Sequence, residues 1–402
     1  MHDFKNNIVL EKTYRRIAFA VLMMPFTLIR FGYVGYGEIF FLLFFLSELL
    51  KKKHDLLKRN FVFSKFWLFF LIISLIGFLY NFFILNNKTG TIGGAIFDFS
   101  SYVVVFISLY ALENFIYKKE INILYLLEKI FFYSSIAFIT LFLISRYSDT
   151  LFGYKLFYWD RFAPLSNNPH QMSIYLSPLP FLGILLLNKR KSLLRKVIII
   201  IFILFLVYFI FNTESFKGIM GLYLSVFVFL GLTIFKYIKK KQRIFLLILL
   251  GLLFILPIIL FIGTLTSYGV EYFSENDYEG GRLYLYKEAI EIIKTSPIIG
   301  HGAGGHVWSP KQEVFADSHQ TFLTIIIQAG ITGLLLFLVF LNKILKVYLK
   351  NAYIMAALIP VFMYLLGGDI LRKLPTWIML LLFYYYLNEK KESDKIKDVK
   401  II

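Results

Sequence analysis

The sequence predicts an all-α polytopic membrane protein, and three observations lead there. The chain of 402 residues is 58% hydrophobic with a mean hydropathy of +0.71, above the roughly 45–50% apolar content of soluble domains. Its apolar residues fall in stretches long enough to span a bilayer, which takes about 20 residues per helix. Its basic residues fall between those stretches in a pattern that alternates along the chain.

About twelve spans can be marked, at roughly 15–31, 34–50, 61–85, 92–112, 122–145, 170–187, 196–212, 216–236, 243–267, 319–341, 352–368 and 373–388. An even number puts both termini on one side. With that side cytoplasmic, the inner segments are 1–16, 51–60, 113–121, 188–196, 236–243, 342–351 and 389–402, and they hold 29 of the 43 Lys and Arg residues. Each short inner loop carries a basic cluster, such as Lys51 to Lys53 or Lys239 to Arg243. That is the positive-inside pattern. The net charge of +18 therefore orients the protein and meets the anionic lipid bilayer, and no nucleic acid partner is implied. The polar start, 1–16, lacks a small-residue cleavage site, so no cleaved signal peptide is expected and the first span serves as the insertion signal. With no Cys, disulfides, thiolate nucleophiles and Cys-ligated metals are excluded. The whole chain, 1–402, reads as a single integral membrane domain with a charged cytoplasmic tail over 389–402.

Two outer loops exceed simple turns. The first, 146–169, contains Arg161. The second, 268–318, lies between spans nine and ten and is the longest polar interruption in the chain. Within it Leu283, Tyr286, Ala289, Ile290 and Ile293 recur at helical spacing opposite Lys287, Glu288, Glu291 and Lys294. This predicts an amphipathic helix, stopped at Ser296 and Pro297, lying on the membrane or packed on the bundle. Gly280 and Gly281 would present backbone N–H groups at the helix start, where Arg282 adds a forked donor, a combination suited to a phosphate or diphosphate. Gly300, Gly302 and Gly304 follow a helix and a proline rather than a strand, so they are not a nucleotide loop. They are expected to form a hinge that lets the loop fold over a substrate.

His319 stands just before span ten, behind Asp317 and Ser318, either of which can cap the helix. The positive end of the helix dipole disfavours an imidazolium there, which makes His319 a candidate general base. A capping or interfacial histidine is the alternative. Arg161, Lys217, Arg372 and Lys373 are outer cations that run against the positive-inside bias, and each invites an anionic ligand. Snorkelling to headgroups is the other explanation and is preferred for Lys373. His170, His301, His306 and His319 are all external, but they lack metal-ligand spacing, so no metal is expected.

In order along the outer face, these motifs resemble the O-antigen polymerase and O-antigen ligase family of bacterial polysaccharide assembly. The resemblance rests on Arg161 with Asn167, Asn168 and Pro169; on Ser215, Phe216, Lys217 and Gly218; on Arg282, Pro297, Gly300, Gly302 and His319; and on Gly330 with Gly333. It covers about 160–333. The chain departs from the family in having Gln320 after the histidine where Asn is frequent, Phe216 inside the Ser-Arg-Gly-like motif, and Phe162 where Gly is frequent. The resemblance implies a GT-C-like fold and a metal-independent, inverting glycosyl transfer without cofactors. Donor and acceptor would be undecaprenyl-diphosphate-linked oligosaccharides. His319 would activate the acceptor hydroxyl, while Arg161, Arg282 and Lys217, with Arg372 added on charge, would hold the diphosphate. A chain-length regulator and a flippase are expected partners, in the bacterial inner membrane. Polymerisation of repeat units is the first expectation and ligation to a lipid A core or another acceptor the second. A lipid-linked oligosaccharide flippase is the rival from another class, and it would need a charged path through the membrane centre. Apart from Asp98, Glu113 and Glu214 near span ends, the spans show no such central charge path. A dolichol-type transferase would need acidic metal-binding motifs in its first outer loop, and 31–34 has none.

Overall fold

The computed structural model describes residues 2–31, 34–51, 61–85, 89–117, 122–237, 282–309 and 313–399. Thirteen helices run through these residues: α1 His2–Met23, α2 Tyr36–Lys51, α3 Val62–Phe83, α4 Ile92–Tyr117, α5 Ile123–Ser145, α6 Pro169–Leu176, α7 Leu179–Lys189, α8 Leu193–Asn212, α9 Phe216–Tyr237, α10 Arg282–Thr295, α11 Thr321–Tyr348, α12 Ala352–Gly367 and α13 Leu374–Val399. The predicted ninth span, 243–267, lies outside the described residues, as do Gly280 and Gly281.

Among the described residues, seven helical segments are long and apolar enough to cross a membrane: α3, α4, α5, the α6–α7 pair, α8, α9 and α11. The chain is thus a multi-pass membrane protein. Phe69, Ile72 and Ile76 on α3 and Leu193, Leu194 and Leu204 on α8 remain exposed, forming apolar faces that lipid can cover.

Local chemistry sets the helix starts. Asn122, Asn168 and Asn351 cap α5, α6 and α12, each accepting from a backbone N–H two or three residues on, and Pro169 occupies the first turn of α6. α3 has no side-chain cap of its own. The Glu113 carboxylate of α4 substitutes, accepting from the N–H groups of Phe63 at 3.1 Å and Ser64 at 2.9 Å and from the Tyr385 hydroxyl at 2.8 Å. One buried carboxylate therefore joins α3, α4 and α13.

An aromatic centre fixes α3, α11 and α13 against one another. Phe66 stacks on Phe340 at 4.6 Å between centroids, and Trp67 meets Trp377 edge-on at 4.9 Å. α9 and α12 approach closely enough that a Cβ on Gly221 would lie 2.7 Å from the Cα of Pro360.

The connections gather at two ends of the bundle. At one end Glu11 meets Tyr125 and Lys129, and Arg190 pairs with Glu128. At the other, Leu28 N–H donates to Leu165 O at 2.9 Å, Arg161 pairs with Glu214, and Thr321 donates to Gly368 O at 2.7 Å. This second end carries the residues singled out above. Its short hairpins, β1–β2 (Arg30–Phe31 with Val34–Gly35), β3–β4 (Thr150–Leu151 with Tyr154–Lys155), β5–β6 (Phe157–Tyr158 with Arg161–Phe162) and β7–β8 (Val307–Ser309 with Val314–Ala316), are all antiparallel.

Candidate active site

The segment after α10 is built into the wall of the bundle. At Gly330, with φ 63° and ψ −167°, α11 breaks. In an unbroken helix the N–H groups of Ile331 and Thr332 would donate to the carbonyls of Ile327 and Gln328. Instead they donate to Pro297 O at 2.8 Å and Ile298 O at 3.2 Å, while the freed carbonyls accept from His301 N–H at 2.7 Å and Gly302 N–H at 2.9 Å. The loop is spliced into the helix, and every backbone group involved stays paired, as an apolar surrounding demands.

This splice explains the glycines in a way that differs from the expected hinge. Gly300, Gly302 and Gly304 have φ of 72°, 81° and 80°, in the left-handed region that favours glycine. A Cβ on Gly302 would lie 2.1 Å from Phe78 N, and one on Gly304 would lie 2.4 Å from Ala95 N. These residues let a docked loop touch the backbones of α3 and α4. His301 ties the loop further, to Thr295 Oγ1 at 2.9 Å and Asn81 Oδ1 at 3.3 Å. Burial holds its imidazole below the ordinary value.

α10 ends at Thr295, before Ser296 and Pro297 as expected, but its buried face is turned from the anticipated one. Leu285 and Ala289 are buried with Val307 and Ile327, and Ile290 is exposed. The helix packs on the bundle because the β7 strand and α11 supply its apolar partners. Arg282 opens α10; its side chain lies outside the described residues.

The β7–β8 hairpin pairs Val307 with Ala316, so the residues just beyond, His306 and Asp317, face one another at its base. They join a buried ionic cluster. Asp98, buried in α4, accepts through Oδ2 from Gly304 N–H at 3.2 Å and Gln328 Nε2 at 3.0 Å. The same oxygen lies 3.2 Å from His306 Nε2, and Oδ1 accepts from Arg372 Nη1 at 2.8 Å. Arg372 Nη2 donates to Asp317 Oδ2, and its Nε lies 3.7 Å from Asp369 Oδ2. His306 Nδ1 lies 3.3 Å from Asp317 Oδ1, off the hydrogen-bond line. Burial pushes His306 down, but Asp98 and Asp317 outweigh it and hold the imidazole above its usual value. Burial, followed by the Asp317 charge, pushes Asp369 up to about 6. Among the described residues, no group of three or more His, Asp or Glu is placed to hold a metal ion.

His319 is exposed and precedes α11, with φ 54°. The cap of α11 is neither Asp317 nor Ser318. Asp317 is taken by Arg372, Ser318 Oγ donates to Gln320 O at 3.1 Å, and the Gln320 side chain accepts from Leu323 N–H at 2.6 Å. Thr321 bonds both Gly368 O and Ile370 N–H. Gly367 also closely abuts Lys217, whose Nζ lies 5.7 Å from the centre of the Tyr364 ring. Lys217, Arg372 and the His319 segment thus meet around the turn 367–373. Arg161 pairs instead with Glu214, at 3.2 Å, three residues before Lys217.

Beside them lies a cavity of about 690 Å³. Arg30, Arg372, Lys373, Glu38 and Asn167 line it, together with a wall from Ile96 to Val105 along α4 that is apolar except for Ser100 and Ser101. At 1.5 Å per residue that wall runs about 14 Å. Sequence reasoning missed Glu38 and Arg30, gave Asp98 no task, and treated His306 only as a weak metal ligand. Lone carboxylates inside apolar runs were the available signal for Asp98 and Glu38.

Fold and site together define a multi-pass membrane protein with a charged pocket at one end of a helix bundle. A family model described as O-antigen ligase matches residues 177–338, from α7 into α11. The match covers less than half of the chain and supports an O-antigen ligase or polymerase family assignment. It includes Lys217, Arg282 and His319; Arg161 and Arg372 lie outside it. No curated protein matches the chain.

Proposed function

We propose that the protein lengthens surface polysaccharide by moving a glycan from an isoprenoid diphosphate, undecaprenyl diphosphate in bacteria, to a hydroxyl of a second lipid-linked oligosaccharide on the outer face of the inner membrane. The carrying observation is the cavity. Arg30 and Lys373 line it together with Ile96, Phe97, Val104 and Val105 of α4, and cations beside apolar side chains suit an anionic head on an isoprenoid chain. Arg372 lines it and holds Asp317, two residues from His319. In this reading His319 takes the proton of the acceptor hydroxyl as its oxygen attacks the anomeric carbon. The bond from that carbon to the diphosphate oxygen breaks with inversion, and the leaving diphosphate is stabilised by Arg161, Arg282 and Lys217. The family description favours ligation to a different acceptor as the second reading.

The test reconstitutes the purified protein in liposomes with undecaprenyl-diphosphate oligosaccharide. Longer lipid-linked chains support polymerisation; transfer only to an added lipid A core makes the protein a ligase; translocation without transfer makes it a flippase. His319→Ala is expected to lower kcat by about 10²–10⁴-fold, the usual range for losing a general base. Undiminished transfer in that variant removes His319 from the mechanism.

A further inference from the structure

We infer that Asp98, His306, Asp317 and Arg372 form a positioning network that sets the segment carrying His319, and that Arg372 belongs to this network rather than to the diphosphate site. The inference rests on the glycan-transfer reading for what His319 does, but its geometry stands apart from that reading.

The guanidinium of Arg372 is already committed. It donates to Asp98 at 2.8 Å and to Asp317, approaches Asp369 at 3.7 Å, and lies 5.4 Å from the centre of the Phe97 ring. Its partners come from α4, from the turn before α11 and from the turn before α13. Three carboxylates surround one arginine, so a diphosphate arriving there would meet like charge at close range. The arrangement instead resembles a knot that ties three segments together.

The ends of the His319 segment show what the knot holds. Asp317 is fixed by Arg372 on one side, and Thr321 is fixed by Gly368 O and Ile370 N–H on the other. Ser318 is buried and bonds Gln320 O and Thr324. Between these anchors His319 is exposed, with φ 54° in the left-handed region that few residues other than glycine adopt. Asp98 is the fixed point. It lies inside α4 with its side chain 1% exposed, and its two oxygens serve Gly304, Gln328, His306 and Arg372. The Tyr102 hydroxyl donates to Gln328 Oε1 at 2.5 Å, which orients the glutamine amide towards Asp98. The line from Asp98 to His319 therefore runs through side chains with little freedom, which is the kind of support that a base needs to stay in register with its substrate.

The experiment compares wild type, Asp98→Asn and Asp317→Asn in liposomes. It reads kcat and KM for the lipid-diphosphate donor, and separately the hydrogen exchange of residues 317–324. Both substitutions preserve shape, and Asp317 is partly exposed, so the second variant keeps the test alive if the first fails to fold. The expected result is a kcat lower by about ten- to a hundredfold, the cost of a misplaced catalytic group, with donor KM within about twofold and faster exchange over 317–324. A donor KM raised tenfold with kcat intact would make the cluster a ligand site and overturn the inference. Unchanged exchange over 317–324 would overturn it as well. Absence of transfer in wild type would instead defeat the glycan-transfer reading, and the exchange measurement would still decide the positioning role.

Discussion

His306 is enclosed by groups of both signs, and its protonation follows from their balance. Burial opposes the imidazolium, as does Arg372, while Asp98 and Asp317 favour it and prevail, so the folded value lies above the ordinary 6.5. A raised histidine contributes stability in full below its unfolded value and loses it as pH rises through the folded one. Thermal stability is therefore expected to decline from about pH 6.5 upward, and His306→Gln should abolish that part of the slope in melting curves. Asp369, pushed up from 3.8 to about 6, acts with the same sign over the lower window between those values, and His306→Gln should leave that window intact. The residues in this balance were only partly legible in the sequence. Arg372 was noticed for its charge, but a charge read along the chain does not reveal that three carboxylates, two of them 55 and 274 residues away, already surround it.

At the scale of elements, apolar stretches and helix caps were the legible part. Asn122, Asn168 and Asn351 stand where helices start because their side chains replace the missing backbone acceptors. The hairpins over 150–162 were not legible, since two-residue strands carry no periodicity. The splice at Gly330 was not legible either: Gly330 was seen, but its partners Pro297 and Ile298 come from a loop that reads locally as a flexible turn. The structure gives this element a sharp requirement. Gly302→Ala would force a Cβ to 2.1 Å from Phe78 N at a φ of 81°. A loss of about 1–3 kcal/mol for the conformation alone is expected, and more if α3 must shift. Denaturation of the variant in mild detergent, compared with Gly93→Ala, where a Cβ meets nothing within 4 Å, checks it.

Across the whole molecule, the aromatic centre and the polar end form one mechanical unit. Trp377 packs against Phe66, Trp67 and Phe340, and its indole N–H donates to Ile370 O at 3.0 Å, in the turn that carries Arg372. Trp377→Ala is expected to cost about 3–5 kcal/mol and to loosen the 367–373 turn as well as the core. A lowered melting temperature accompanied by faster exchange at residues 369–373 would show that coupling. Composition made the membrane class plain, because apolar content and span length are properties of the chain itself. The approach of Lys217, Arg372 and the segment before α11 to one turn is a property of packing, which the order of motifs could only suggest. The broken helix also bears on how the protein is made. Residues 297–302 and α11 each lack, by themselves, partners for the backbone groups they exchange, and lipid offers no water as a substitute. Helix α11 therefore cannot reach its final form until the loop is seated against it. That loop leaves the ribosome just before the helix that receives it, so the two halves of the joint are neighbours from birth, and translation itself delivers them in the order in which they must meet.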